Sequence, residues 1–110
     1  PSSWAVRDSI HLLQKMFRLR TCEDTVFANR SRPCLLFQIK RCSGPCVGRI
    51  TPQDYAADVQ LASMFLLGRQ QEVTKRLTQA MELASQSLAF EQAAVYRYQI
   101  QSLHQVQEKQ

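Results

Sequence analysis

Glycine, proline and long apolar runs are all scarce in this chain. Three Gly and four Pro among 110 residues are too few for the many tight turns of an all-β sandwich. No apolar run approaches the roughly 20 residues that a membrane-spanning helix needs. The N-terminus, PSSWAVRDSI, lacks the basic start and apolar stretch of a secretory signal. No membrane association is expected, and the expected location is the cytoplasm. Catalytic signatures are missing too: there is no Gly-rich phosphate loop, no HExxH and no G-x-S-x-G. The two histidines, His11 and His104, lie far apart on predicted helices and read as helix-surface residues. Asp54, Asp58, Glu72, Glu82 and Glu91 sit at scattered helical positions and read as solvated faces or caps. No constellation for nucleophilic or acid–base catalysis emerges, so this chain is not expected to be an enzyme by itself. It also lacks an initiator Met. Its first residues read like the middle of a protein, which points to an excised fragment with flanking domains removed.

What the chain does have is unevenly placed. The hydrophobic fraction is 45% and the net charge is +5. Residues 1–50 hold nine Lys/Arg against three Asp/Glu, while residues 51–110 hold five against six. The basic half is therefore +6 and the other half −1. All four cysteines, Cys22, Cys34, Cys42 and Cys46, fall in the basic half with the spacing C-x11-C-x7-C-x3-C. A localised positive surface is an electrostatic footprint for phosphates.

Periodicity separates the elements. Val6, Ile10, Leu13 and Phe17 form one apolar stripe, so residues 3–17 read as an amphipathic helix with Ser3 as N-cap. Residues 18–50 lose that period and are punctuated by Pro33, Gly44, Pro45 and Gly48. A short helix is expected in CLLFQIK, between Pro33 and Arg41, with loop elsewhere. About 30 residues of irregular chain in a small domain need an external staple. Thr51-Pro52-Gln53-Asp54 is a helix start: N-cap, Pro at N1, acid at N3. Tyr55, Val59, Ala62 and Leu66 mark its apolar face, and Gly68 ends it. A second helix carries Val73, Leu77, Ala80, Met81, Ala84 and Leu88. A turn near 87–89 leads to a last helix over 90–107 with Ala93, Tyr96, Ile100 and Leu103 on its face. The short connection makes these two an antiparallel αα-hairpin. Phe90, Ala94 and Tyr98 form a second apolar seam on the last helix. Either helix 52–67 or another protein covers it. Trp4, Phe17, Phe27, Phe37 and Phe65 read as core.

The expected fold class is thus mostly α: an N-terminal helix, an irregular Cys-rich metal- or cluster-binding module, then helices ending in an antiparallel αα-hairpin. The expected organisation is 1–50 for the N-terminal helix and Cys-rich cluster and DNA-contact module, 51–68 for a connecting helix and 69–105 for the hairpin.

Three readings of the four thiols stay open on the residues alone. Disulfides suit clustered cysteines, but the long cysteine-free helical segment is unlike a disulfide-dense secreted domain. Zn2+ takes four thiolates tetrahedrally, although only Cys42-x3-Cys46 has the length of a zinc knuckle. A 4Fe–4S cube takes one thiolate per iron, and wide spacings suit ligands from several loop segments. Spacing favours zinc. In either metal reading, the surrounding Arg and Lys offset the anionic charge of the centre. Arg30, Arg32, Lys40 and Arg41 are the residues expected to meet DNA phosphates.

The stretch FRLRTCEDTVFANRSRPCLLFQIKRCSGPCVGRITPQDYAADV resembles the central region of the UvrC family, nuclease subunits of bacterial excision repair. Its elements are LRTC at 19–22, NRSRPCL at 29–35, QIKRCSGPCVG at 38–48 and the acid-containing helix start at 51–54. The later MELASQSLAFEQAAVYRYQIQSL resembles the UVR motif, through which such proteins pair with a UvrB-like protein. Together the matches cover nearly the whole chain. The resemblance implies the non-catalytic region between two nuclease domains of an excision-repair endonuclease subunit. It implies a 4Fe–4S cluster on Cys22, Cys34, Cys42 and Cys46, with Zn2+ as the alternative, which reverses the preference from spacing. It implies that the UVR hairpin maps onto 69–105, with the Phe90-Glu91 pair as its hallmark. The partner surface expected from both readings comprises Phe90, Glu91, Ala94, Arg97 and Tyr98. One departure is notable: the motif usually reads Arg-Asp where this chain has Arg97-Tyr98, replacing a carboxylate by an aromatic. The expected partners are a UvrB-like protein and DNA, with self-association through the hairpin as a further option. The runner-up reading is a zinc-stabilised four-cysteine nucleic-acid-binding module.

Overall fold

Six α-helices and no strand occur among the described residues of this computed structural model, which describes residues 3–108 and the side chains of residues 6–106. The mostly helical expectation holds. The helices are α1 (Ser3–Met16), α2 (Asp24–Ala28), α3 (Leu35–Gln38), α4 (Pro52–Leu66), α5 (Gln70–Gln86) and α6 (Phe90–Glu108), with a 3-10 turn at Pro45–Val47. The side chains of Ser3 and Trp4, read above as cap and core, lie outside the described residues. The chain divides into two compact units, Pro1–Ala62 and Ser63–Gln110.

Helix ends in both units are set by the same device. Where α1 stops, Arg18 adopts a left-handed backbone (φ 56) and the Leu19 N–H reaches back to the Gln14 carbonyl at 2.9 Å. The same six-to-one closure joins Arg41 N–H to Leu36 O after α3, and Arg69 N–H to Met64 O after α4. It recurs at the hairpin turn, where Ala89 N–H meets Ala84 O at 2.8 Å. These are Schellman-type caps, which need one left-handed residue each. Gly68 (φ 85) supplies it without strain, whereas Arg18, Lys40 and Leu88 supply it as non-glycine residues, each at a cost of roughly 1–2 kcal/mol. The start of α4 follows its sequence signal: the Asp54 N–H donates to Thr51 Oγ1 at 3.1 Å.

In the first unit, Leu13, Met16 and Phe17 of the α1 end are buried, as are Cys42 and Ala62. The stripe expected on α1 is buried only in its second half; Val6 and Ile10 are exposed. On α4 the expected face also shifts. Val59 and Leu66 are exposed, while Ala62, Met64 and Phe65 are buried. α4 is apolar on more than one side near its end, and the period alone did not choose between the sides. Neither α2 nor α3 buries a residue, and α2 was not expected at all.

The second unit is an antiparallel hairpin of α5 and α6 with the last turn of α4. Val73, Leu77 and Leu103 are wholly buried, joined by Ala84, Ala93 and Val106. Ala80 and Met81 are partly covered. Leu88, placed on the core stripe by sequence, is instead 72% exposed. It is the left-handed residue of the turn, past the end of α5, so the helical period no longer applies to it.

Candidate functional site

The four thiols are carried by three loop segments and one short helix. Cys22 follows the α1 cap, Cys34 precedes α3, Cys42 follows it, and Cys46 lies in the 3-10 turn. All four are free thiols. Backbone hydrogen bonds tie these segments together. The Arg18 carbonyl accepts the Ser43 N–H at 2.9 Å and the Ser43 hydroxyl at 3.2 Å. This joins the strand of chain before Cys22 to the residue after Cys42. The Arg20 N–H donates to the Tyr55 hydroxyl at 3.1 Å, which anchors the same segment to α4. The Arg20 guanidinium then spans its own loop. It donates to the Cys22 carbonyl at 3.3 Å, pairs with Asp24 at 2.7 Å and lies 4.5 Å from the centre of the Phe27 ring.

Two of the thiols are shifted in opposite directions by their surroundings. Burial pushes the Cys42 thiol up, the Gly44 N–H pulls it down, and Cys34, Cys46 and Cys22 each push it up by like charge. Cys42 accepts that N–H at 3.5 Å. The Cys34 thiol is held below its ordinary range, first by the Phe37 N–H and further by the Leu36 N–H and the Arg30 charge. Cys34 stands at the N-cap of α3, where amide groups favour an anion. Among the described residues, no three His, Cys, Asp or Glu close on one point as a single bound ion requires. The other three thiols lie close enough to Cys42 to act on its charge.

Around this set the cations face solvent. Arg30, Arg32, Lys40 and Arg41 are all exposed, and the ion pairs of the described residues involve only Arg20 with Asp24 and Arg76 with Glu72. Arg49 is exposed as well, with its guanidinium 5.7 Å from the Phe37 ring centre. His11 and His104 are on helix surfaces, as expected. Asp58, read as a solvated acid, is half-buried instead. Burial, and then Asp54, push its carboxyl up to about 6 against a smaller opposing pull from Arg18. A sequence shows an acid at a helical position but not which loop folds over it.

On the hairpin, Phe90, Glu91, Ala94, Arg97 and Tyr98 all lie on the exposed side of α6. Phe90 is 63% exposed. Sequence reasoning missed two neighbours in this unit: Leu83 near the end of α5 and Leu88 in the turn are exposed leucines. Together with Phe90 they concentrate apolar surface around the turn. A leucine in a left-handed turn position has no sequence signature, because most such positions are filled by glycine.

A basic four-thiol loop module, joined by a helix to an antiparallel hairpin with an exposed apolar turn, defines the class of chain. Residues 1–65 match the family described as UvrC/Cho excinuclease, middle domain, and this chain belongs to that family. Residues 71–106 match the UvrB/uvrC motif. The chain is 84% identical over 110 residues to UvrABC system protein C of Dechloromonas aromatica. It is 61% identical to the protein of that name from Methylobacillus flagellatus and 59% identical to the one from Nitrosomonas europaea. Each comparison covers 100% of this chain and 18% of the relative. No solved structure matches it. No helix among the described residues is long and apolar enough to cross a membrane.

Proposed function

We propose that this chain is the non-catalytic middle of an excision-repair endonuclease subunit, working as a two-part connector. The second unit binds a UvrB-like protein by pairing helical hairpins, and the first presents a cysteine-organised basic surface to DNA. The observation that carries the protein-binding part is the exposed apolar group Leu83, Leu88 and Phe90, which lies within the stretch that matches the UvrB/uvrC motif. A two-helix hairpin has little interior of its own, and large exposed apolar side chains grouped in one place mark an interaction surface. Tyr98 extends this surface along α6. Where the motif usually has a carboxylate, Tyr98 adds apolar contact in place of an ionic one.

Cys22, Cys34, Cys42 and Cys46 would hold a 4Fe–4S cluster in this reading. The donor chemistry fits. The set consists of four thiols, with a buried Cys42 that feels the other three. The Phe37 and Leu36 amides, and then Arg30, stabilise thiolate at Cys34. A tetrahedral zinc site needs sulfurs on the order of 4 Å apart, given Zn–S bonds near 2.3 Å. A four-iron cube also takes four thiolates, one at each corner, so the metal content decides between the two. When bound, such a centre cross-links loop segments that have almost no apolar core. Around it, Arg30, Arg32, Lys40 and Arg41 are free to reach phosphates, and such contacts bind without reading sequence.

Titration of the chain with a UvrB-like hairpin tests the protein-binding part. Phe90→Ala should weaken the pairing by about 2 kcal/mol or more, as for a buried anchor. Unchanged affinity would reject the surface. Anaerobic purification tests the cluster: a brown protein with broad visible absorption and about four irons per chain supports it, whereas stoichiometric zinc would favour the single-ion alternative.

A further inference from the structure

We infer that Arg49, rather than any of the four cations named above, is the anchoring phosphate contact of the basic surface. This inference rests on the DNA-contact reading just proposed. It starts from Gly44. That residue has a left-handed backbone (φ 73), and a Cβ placed there would lie 2.8 Å from Phe37 Cδ1 and 3.0 Å from Arg49 Cβ. The absent side chain is what lets the Phe37 ring and the Arg49 stem pack against one stretch of backbone. Gly44 also accepts the Arg49 N–H at 3.0 Å through its carbonyl, and its own N–H donates to Cys42 Sγ. The Arg49 backbone and stem are thus held by two neighbours, Gly44 and Phe37. The guanidinium ends 5.7 Å from the Phe37 ring centre.

The other stacked arginine of this unit shows why Arg49 is different. Arg20 lies over Phe27, but its guanidinium is already engaged by Asp24 and the Cys22 carbonyl. Arg20 is therefore a structural clamp. Arg49 makes no such bond, so its donors are unused while its stem packs at Gly44 and its head lies beside the Phe37 ring. Arg30, Arg32, Lys40 and Arg41 have donors unused as well, but no ring contact holds them. A long cation loses rotamer freedom when it grips a phosphate. A guanidinium already ordered by a stack loses less, and its fork matches a phosphate at two oxygens. The chemical class of ligand is the phosphodiester backbone of DNA. Phe27 and Phe37, the aromatics that would otherwise stack on bases, are half-buried and each carries a guanidinium on its ring. Contact through phosphates, without base stacking, follows for this surface.

The test is fluorescence anisotropy with a labelled DNA duplex and the full 110-residue chain, purified anaerobically, across a salt series. Arg49→Ala should raise Kd about tenfold and Arg32→Ala about threefold, each lowering the salt slope by roughly one. Arg49→Lys keeps the charge and the stem carbons that pack near Gly44. It should still raise Kd about threefold, at an unchanged slope, because a point charge replaces a stacked fork. If Arg49→Ala costs no more than Arg32→Ala and Arg49→Lys matches the parent, Arg49 is one charge among several. The inference is then overturned while the DNA reading stands. If the parent chain shows no salt-dependent binding, both fall together.

Discussion

The two units of this chain reach order by opposite routes. In Ser63–Gln110, two helices of 17 and 19 residues bury Val73, Leu77 and Leu103 almost completely. In Pro1–Ala62, the stretch between α1 and α4 is made of helices of five and four residues and a three-residue 3-10 turn, none of which buries a side chain within it. That stretch is held by backbone closures at Arg18, Lys40 and Gly44, by the Ser43–Arg18 and Arg20–Tyr55 bonds, and by the position of Cys42. Net hydrogen-bond contributions run near 1 kcal/mol each, little against the backbone entropy of some thirty residues. On the cluster reading proposed above, this difference accounts for four thiols in one unit and none in the other. A segment without a core needs a cross-link at its centre, and a hairpin with a core does not.

If the four thiols hold the proposed centre, the largest effect should come from removing it. Cys42→Ser replaces the one buried thiol by a group that is a poor soft-metal ligand. Centres of this type contribute folding free energy directly. The expected outcome is a loss of several kcal/mol of local stability, read as rapid hydrogen exchange over residues 18–50, with the visible absorption gone. Exchange in α5 and α6 should stay slow. Equal loss of protection in both units would show that they fold as one body and would break the contrast.

Leu77→Ala attacks the other route. Leu77 is 1% exposed, and truncating a buried leucine costs about 2–5 kcal/mol. Thermal unfolding of the hairpin should move down accordingly, while hydrogen exchange over residues 18–50 is unchanged. Phe90→Ala supplies the control, because a side chain that is mostly exposed loses little on truncation. A Phe90→Ala variant as unstable as Leu77→Ala would place Phe90 in the core and remove it from the partner surface.

How much of this was legible in the sequence differs by unit for the same reason. Long helices announce themselves by period, start and stop. Thr51-Pro52 caps α4, Gly68 ends it, and Val73, Leu77, Ala93 and Leu103 face inward as their spacing requires. Three features were not legible. Left-handed backbone at Arg18, Lys40 and Leu88 leaves no mark when the residue is not glycine. α2 is too short for a period to register. The burial of Asp58, and the guanidinium stacks on Phe27 and Phe37, depend on contacts between segments that sequence spacing does not bring together. The exposure of Leu88 was hidden for another reason: it continues the apolar stripe of α5 two residues past Gln86, where the helix stops.

Asp58 gives a pH-dependent way to sharpen the comparison, since it belongs to the thiol-bearing unit alone. Its carboxyl is pushed up to about 6 from an ordinary 3.8, first by burial and then by Asp54. The folded state therefore holds a proton that the unfolded state has released between those two values. Stability from this group is greatest below pH 4 and declines as pH rises to about 6. Asp58→Asn should remove the decline. Because the group is partly exposed, the gain after solvent screening is about 1 kcal/mol at pH 7 and near zero at pH 4. Denaturant melts at the two pH values would show it. A gain of equal size at both would assign the effect to packing and not to charge.

The smallest expected effect lies at the hairpin turn. Leu88 holds a left-handed backbone at a cost that glycine would not incur, yet its side chain is mostly exposed and contributes little to the core. Leu88→Gly should relieve the strain but enlarge the conformational freedom of the unfolded chain. The net gain is then a few tenths of a kcal/mol up to about 1. On the partner reading proposed above, Leu88 contributes apolar contact outside the chain instead of inside it. The same variant should consequently bind a UvrB-like hairpin more weakly, opposite in sign to its effect on folding. Stability and affinity that rise together would mean that Leu88 is not part of the partner surface, and would shift the recognition to Phe90 and Tyr98 on α6 alone.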